Sequence, residues 1–397
     1  MKNIIILLSI LFFTVIYAQN PKINTLNTFE GSNQVKTIIK NTKGNYVLLE
    51  NTWYFEPEFE DVYSIIIKEL TDEGKVIWSR KLEKVNTSEK GIFLIENDKG
   101  YSIFTEDGQL IKIDNSGIIY FRKKTGIIMP RNILASSKGG FFLSNTFNKK
   151  EDIWIYKLNS EGEIEWEITK DQYKAVYVSI RQKSLNGNYL ALVKKKDKSD
   201  ASNFYIMEFT DYGEIISEKQ IPNHIIYQSN KNLDFYQDRS GNYLVFSTED
   251  TSDHEVKYNL SSEDIRLVKL DKDFNVIFNK LYGFAIGNDF YSTYLGKIIE
   301  SEEGGYLFIC EEKFNTTTYF DSSIFKIDEN GNVQWYESFH LNKANFIDSL
   351  IPMGKNTYMV SIYSEFNPMN YFSETNIFKI TDNLNSKFNP LLCPAED

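Results

Sequence analysis

The sequence predicts an all-β chain, a seven-bladed β-propeller of four-stranded antiparallel blades. Two phrases recurring seven times in one order predict it, together with short strand-like runs and no long helical period. The first phrase is a turn followed by an aromatic residue. It reads "ELTDEGKVIW" to Trp78, "KIDNSGIIYF" to Phe121, "KLNSEGEIEW" to Trp166 and "EFTDYGEIIS" to Ser217, then "KLDKDFNVIF" to Phe278, "KIDENGNVQW" to Trp335 and "KITDNLNSKF" to Phe388. The spacing is roughly 43 to 61 residues, in or near the propeller range. The second phrase precedes each turn and centres on Tyr46, Tyr101, Phe141, Tyr189, Tyr243, Tyr306 and Tyr358.

Each unit reads as four strands, a to d. In the first, a lies near Val35–Ile39, b near Tyr46–Glu50, c near Ser64–Leu70 and d near Val76–Leu82. These runs are rich in Ile, Val, Tyr and Phe and are bounded by Gly, Asn and Asp. Strand b is almost continuously apolar, as a strand covered on both faces must be. At the c–d turn, Asp or Asn can bond backbone N–H groups, and Gly74, Gly117, Gly162, Gly213 and Gly331 can take positive φ. Phe274 and Leu384 stand at the glycine position in units five and seven, so those turns are expected to differ, with Asn275 and Asn385 taking over. The aromatic after each turn is expected to pack between neighbouring sheets. Ser217 replaces it in unit four, which predicts a weaker junction there.

The ends divide off. Residues 1–18, "MKNIIILLSILFFTVIYA", have Lys2, an apolar run from Ile4 to Tyr17 and a small residue at the cut before Gln19, the pattern of a secretory signal peptide. That run falls short of the ~20 residues of a membrane-spanning helix. No transmembrane segment is expected elsewhere, and the chain reads as exported: periplasmic, outer-surface or secreted. Residues 19–33 resemble a strand d with a connector and could close the ring, or the C-terminal strand could do so alone. Residues 34–392 hold the seven blades and 393–397 a short tail. An open β-solenoid is the alternative architecture, but its repeats are usually shorter.

Charge limits function. Lys plus Arg number 44 against 55 Asp plus Glu, a net charge of −11, which disfavours binding to nucleic acid. Without Lys2 in the leader it is about −12. The densest basic run, "VKKKDK" from Val193 to Lys198, reads as a solvated loop. Cys310 and Cys393 could bridge in an oxidising compartment, or Cys310 could be a small buried hydrophobe.

"GGYLFICEE…IFKIDENGNVQWYESF" resembles the propeller repeats of secreted and surface proteins in Bacteroidota. The resemblance covers most of the mature chain, and its motif marks a blade rather than an activity. Many members of that group end in a sorting domain for type 9 secretion; here "CPAED" follows soon after repeat seven, which argues against that route. The c–d turn is also similar to sialidase Asp-boxes and to quinoprotein propeller repeats. However, the aromatic stands four residues after the glycine rather than three, the Asp-box serine is missing, and no adjacent cysteine pair is present. No cofactor is implied.

No catalytic or metal constellation can be assigned. His224, His254 and His340 share no ligand spacing, and "DENGN" from Asp328 lacks the glycine offset and closing Glu of an EF-hand. Paired carboxylates for glycoside hydrolysis cannot be located from sequence. The positional signal is stronger. Three b–c segments are long and aromatic: "NTWYFEPEFEDVY" from Asn51, "EKFNTTTYFDSS" from Glu312 and "SEFNPMNYFSE" from Ser364. They belong to blades 1, 6 and 7, neighbours around a closed ring, and the d–a connector "YGFAIGNDFYSTY" from Tyr282 enters on the same face. Trp53, Tyr54, Phe55, Tyr319, Phe320, Tyr371 and Phe372 are therefore the candidate ligand-binding residues, with Glu56, Glu58, Glu60 and Asp61 at their margin. The same segments could instead pack on one another as a lid or be extended strand ends. Two functions remain: a binding module for an unknown protein or glycan, or a carbohydrate-active enzyme (glycoside hydrolase or lyase) on the same scaffold.

Overall fold

A computed structural model describes residues 21–30, 33–56, 59–82, 90–130, 132–144, 153–169, 175–196, 202–223, 225, 231–250, 263–282, 291–314, 320–339, 344–365 and 373–382. Among these, 28 strands form seven four-stranded antiparallel blades arranged as a β-propeller.

Blade 1 is β2 (Asn33–Lys40), β3 (Tyr46–Glu56), β4 (Phe59–Leu70) and β5 (Val76–Lys81). Blade 2 is β6 (Gly91–Asn97), β7 (Gly100–Thr105), β8 (Gln109–Asp114) and β9 (Ile119–Lys124). Blade 3 is β10 (Asn132–Ala135), β11 (Phe141–Ser144), β12 (Ile153–Leu158) and β13 (Ile164–Thr169). Blade 4 is β14 (Tyr177–Lys183), β15 (Tyr189–Lys196), β16 (Ser202–Phe209) and β17 (Ile215–Gln220). Blade 5 is β18 (Lys231–Gln237), β19 (Tyr243–Asp250), β20 (Glu263–Leu270) and β21 (Val276–Tyr282). Blade 6 is β22 (Tyr291–Glu300), β23 (Tyr306–Phe314), β24 (Phe320–Ile327) and β25 (Val333–Phe339). Blade 7 is β26 (Ala344–Gly354), β27 (Thr357–Glu365) and β28 (Ser373–Thr381), and its outer strand is β1 (Lys22–Glu30), paired antiparallel with β28. One parallel bridge, Glu263 to Ser292, links blades 5 and 6.

The core is not one mass but seven clusters, one per junction between blades. Strand b explains this. Its alternate residues leave the sheet on opposite faces, so Tyr46 and Leu48 enter the 7–1 cluster while Val47 and Leu49 enter the 1–2 cluster. The near-continuous apolar run follows directly. Each fully buried Leu, Ile or Phe contributes about 1.5–3 kcal/mol, so every junction is an independent source of cohesion. Cys310 is buried in the 5–6 cluster; Cys393 and all three histidines lie outside the described residues.

The c–d turns show why glycine recurs. Asp328 Oδ1 accepts the N–H groups of Asn330 and Asn332, at 2.9 and 2.8 Å, and Gly331 takes φ +77°. A Cβ at Gly331 would also stand 3.0 Å from the Phe278 ring of blade 5. In the same way Trp78 sits on Gly117 and Trp166 on Gly213, so the aromatic of one blade seats on the next blade's turn. In blade 7, Leu26 of β1 takes that place against Gly74. Unit five departs from expectation. Phe274 itself adopts φ +69°, and Asp271 caps Asp273 and Asn275 as Asp328 caps its own turn. Asn275 does not take over. Nor is the 4–5 junction left open by Ser217, because Phe274 packs into that junction's cluster and meets Tyr243 edge-on at 5.2 Å. The large side chain has moved from one blade to its neighbour. The turn with Leu384 and Phe388 lies outside the described residues.

On the same face as the c–d turns, strand-b tyrosines reach back to the preceding blade's a–b turn. Tyr101 accepts from Asn41 at 3.0 Å, the Ser137 N–H donates to Tyr189 at 2.7 Å, Tyr306 donates to Asp238 at 2.7 Å, and Tyr358 meets Ser301 at 2.8 Å. Phe141 has no hydroxyl for this. The basic run from Val193 is strand rather than loop as far as Lys196, where β15 ends, with Lys195 paired to Glu218 at 2.7 Å and Lys194 over the Phe204 ring; Asp197 and Lys198 lie outside the described residues.

Candidate functional site

The first strand of each blade lines the propeller axis, and six of these strands carry a bulge or irregularity in their pairing with strand b. The breaks fall between Val35 and Thr37, Gly91 and Phe93, Ile180 and Gln182, Lys231 and Asp234, Leu295 and Ile298, and Ile347 and Ser349. A bulge interrupts in–out alternation and re-aims a side chain. The flanking Val35, Ile180, Ile298 and Ile347 are buried in the junctions. Lys36, Arg181 and Asp348, set aside by the bulges, are half-buried, and Lys297 is exposed. Arg131, at the matching place in blade 3, lies outside the described residues.

These side chains form a polar belt. Arg181 Nε pairs with the Asp234 carboxylate on the next blade, and Arg181 Nη1 donates to Ser179 Oγ at 2.7 Å. Asn132 of blade 3 donates to the same Oγ at 2.8 Å. Gln34 of blade 1 donates to Asp348 of blade 7 at 2.9 Å. Burial raises the pKa of Asp234 above the ordinary aspartate value, with Arg181 opposing. Lys297 behaves differently. It is open to solvent, yet surrounding protein desolvates its ammonium and lowers its pKa, and among the described residues no side chain pairs with it. From blade 4 to blade 7 the charges alternate: Arg181, Asp234, Lys297, Asp348. Such an array suits a small ligand of mixed polarity and opposes a polyanion. Among the described residues no cluster of His, Cys, Asp and Glu could hold a metal ion.

The residues predicted from sequence fall elsewhere. Trp53, Tyr54 and Phe55 lie on β3, where Trp53 is in register with Tyr63 and Tyr54 with Val62; Phe320 opens β24 opposite Lys313. Their side chains, and Tyr319, Tyr371 and Phe372 entirely, lie outside the described residues, as do the side chains of the marginal acids. Much of what reads as loop in blade 1 is hairpin, paired out to Glu56 opposite Phe59. The bulge charges were missed, although they leave a signal: a charged residue inside an apolar first strand, three to seven positions before the a–b turn, as in "SIRQK", "YLGKIIE" and "FIDSL".

No protein-family model and no curated protein matches the chain. Solved structures do. The WD40 propeller domain of Doa1 is similar at TM-score 0.51 and 11% identity, covering 90% of this chain and 96% of that one. The Dos1 propeller is similar at TM-score 0.50 and 11% identity, covering 90% and 95%. An endo-arabinase from Bacteroides thetaiotaomicron matches at TM-score 0.37 and 14% identity, covering 64% of this chain and 94% of that one. At these identities the likeness concerns the fold alone.

Proposed function

We propose that the chain is an exported binding module that contacts a protein or glycan with the face bearing the b–c hairpins of blades 6, 7 and 1. The observation that carries this reading is that the aromatic b–c segments of blades 6, 7 and 1 sit on paired hairpins. Pairing extends to Glu56 opposite Phe59 in blade 1, to Lys313 opposite Phe320 in blade 6 and to Glu365 opposite Ser373 in blade 7; it reaches as far in blades 4 and 5, to Lys196 opposite Ser202 and Asp250 opposite Glu263, where the intervening segments are mostly polar, and stops in blade 3 at Ser144 opposite Ile155. A paired hairpin is pre-ordered, so aromatics carried on it bind with less entropic cost than on a free loop. The leader at 1–18 supports export, and the repeat phrase supports a place among secreted propellers of the Bacteroidota type. The acidic balance argues against a nucleic-acid partner.

The alternative, a glycoside hydrolase or lyase, finds less support. Asp234 is held by Arg181 and Asp348 by Gln34, so the belt's carboxylates serve in side-chain pairs. The test is capture on immobilised glycans and from culture medium and outer membranes of the source organism, with the wild type beside a Trp53→Ala/Tyr54→Ala/Phe55→Ala variant. Saturable capture lost in the variant supports the reading. Equal capture by both, or none, rejects it, and release of shortened glycans would favour the enzyme.

A further inference from the structure

We propose that the chain carries two strands for one place in the ring, β1 and the C-terminal segment 383–392, and that they exchange as the outer strand of blade 7. Both edges of β28 are taken, by β27 and by β1, so no other strand can pair there while β1 is seated. Yet the repeat phrase writes a seventh strand d after β28, in "NSKFNPLL" from Asn385. In five blades the aromatic after the turn faces a charged residue of strand c: Trp78 faces Glu69, Phe121 Lys112, Trp166 Lys157, Phe278 Lys269 and Trp335 Lys326. The same register in "KITDNLNSKF" sets Phe388 opposite Lys379, which β1 instead matches with Asn24. The seat is contested as well. Trp78 packs on Gly117, Trp166 on Gly213 and Phe278 on Gly331, each on the next blade's turn, so Phe388 would pack on Gly74. Leu26 stands there, its Cβ 2.7 Å from where a Gly74 Cβ would lie. One seat admits one strand.

Neither strand is ideal, which keeps the two closures near in energy. β1 brings Asn27 to the Gly74 carbonyl at 3.0 Å, the Thr28 hydroxyl to Asn376 at 2.8 Å and the Phe29 ring to the Lys68 ammonium at 3.5 Å. Against that, its pairing slips between Thr25 and Asn27, it offers Leu26 in place of an aromatic, and Asn24, Thr25 and Thr28 are exposed. The C-terminal strand offers Phe388, but Leu384 stands where Gly74 takes φ +82° and where Phe274 is held at +69°. Its start is already placed: Asp382 accepts the Trp335 indole N–H at 2.9 Å, and its own N–H donates to the Asn356 carbonyl at 2.8 Å. Two packings of one sequence that differ little in free energy form a switch. Either terminus can then be given up to a partner while the ring stays closed.

Hydrogen exchange on the full chain, read over residues 22–30 and 383–392, tests this. Leu26→Asp/Phe29→Asp, which unseats β1, should raise protection in 383–392 at least about tenfold over the wild type. Leu384→Gly, which leaves β1 intact and supplies the missing glycine, should raise protection in 383–392 and lower it in 22–30. Phe388→Asp should lower the melting temperature of the wild type by less than about 1 °C, but that of the Leu26→Asp/Phe29→Asp chain by at least about 3 °C. Equal losses in the two backgrounds, or no gain of protection in 383–392, overturn the proposal. Protection that appears only with dimerisation places the strand on a second copy and also overturns it. Should the β1-unseated chain not fold, Leu384→Gly decides alone: a reciprocal change supports exchange and an unchanged pattern refutes it.

Discussion

The Tyr306 hydroxyl donates a 2.7 Å hydrogen bond to Asp238 Oδ2 across the junction between blades 6 and 5. Asp238 is buried at 2% exposure, and its Oδ1 accepts the N–H groups of Ser240 and Asn242, holding the a–b turn of blade 5. The buried Lys269 stands 3.7 Å from Asp238 and 2.6 Å from Glu329, which in turn accepts the Gly305 N–H at 2.7 Å. Two turns on neighbouring blades are thereby tied into one charged network. Burial, then Asp238 itself, raises the Tyr306 pKa, so the hydroxyl remains a donor at physiological pH.

Tyr306→Phe should cost about 1.5–3 kcal/mol, the range for a buried hydrogen bond to a charged acceptor. Tyr358→Phe, which loses only a neutral bond to Ser301, should cost about 0.5–1.5 kcal/mol. Urea unfolding of both variants checks this. Equal costs would mean that the charged network adds nothing.

The exchange between Ser217 and Phe274 makes a paired prediction. Ser217→Trp should destabilise by about 1–3 kcal/mol because Phe274 occupies the junction. Phe274→Gly should cost about 3 kcal/mol through lost packing. Together they restore the arrangement of Trp166 on Gly213, and the double variant should recover at least about 1 kcal/mol relative to the sum. Strict additivity would show that the two positions do not share a space.

Lys326 gives a pH signature. It is buried at 1% exposure, donates to the Gly304 carbonyl at 2.5 Å, and burial brings its pKa down to about 8. Between that value and the ordinary 10.5, the unfolded chain binds a proton that the folded chain does not. Stability should therefore rise with pH across this window, by about 3 kcal/mol if the whole shift is expressed. The difference in unfolding free energy between wild type and Lys326→Met, followed from pH 7.5 to 10, isolates it. A flat difference would contradict the burial argument.

Blade 1 holds an ion pair of the opposite character. Glu50 is fully buried, Lys68 meets it at 2.7 Å, and the Lys68 ammonium lies 3.5 Å from the ring centroid of Phe29 on β1. Desolvation raises the Glu50 pKa despite Lys68. That sign means its contribution falls as pH rises above the ordinary glutamate value. Lys68→Met alone should cost about 3–5 kcal/mol by leaving a buried carboxylate unpaired, whereas Glu50→Leu/Lys68→Met should be close to neutral. Thermal melts of the three proteins decide it.

The fold was legible because each anchor answers a geometric demand that recurs at every junction. The glycine of "DENG" must admit both positive φ and a neighbour's ring, and the tyrosine of "GGY" must reach the turn behind it. Phe274 was misread because a single unit cannot show that Ser217, in the unit before, had vacated the space. The belt of Arg181, Asp234, Lys297 and Asp348 stayed hidden for the opposite reason. These charges are where the blades differ, so averaging over repeats removes them, and the bulges beside them lack a glycine or proline marker in most blades. The aromatic hairpins were visible as composition, but in blade 1 the strand character was not, because Pro57 inside "FEPEFE" reads as a break.

The binding role is tested most directly by reading ligand capture and melting temperature together for single alanine variants at Trp53, Tyr54, Phe55, Tyr319, Phe320, Tyr371 and Phe372. The account predicts that at least one central aromatic costs about 2 kcal/mol or more of binding. The melting temperature should move little, since buried strand residues such as Tyr46, Val47, Leu48 and Leu49 supply the described junction clusters. Loss of stability across the set with no selective loss of binding would contradict it, and would make the hairpins a structural lid.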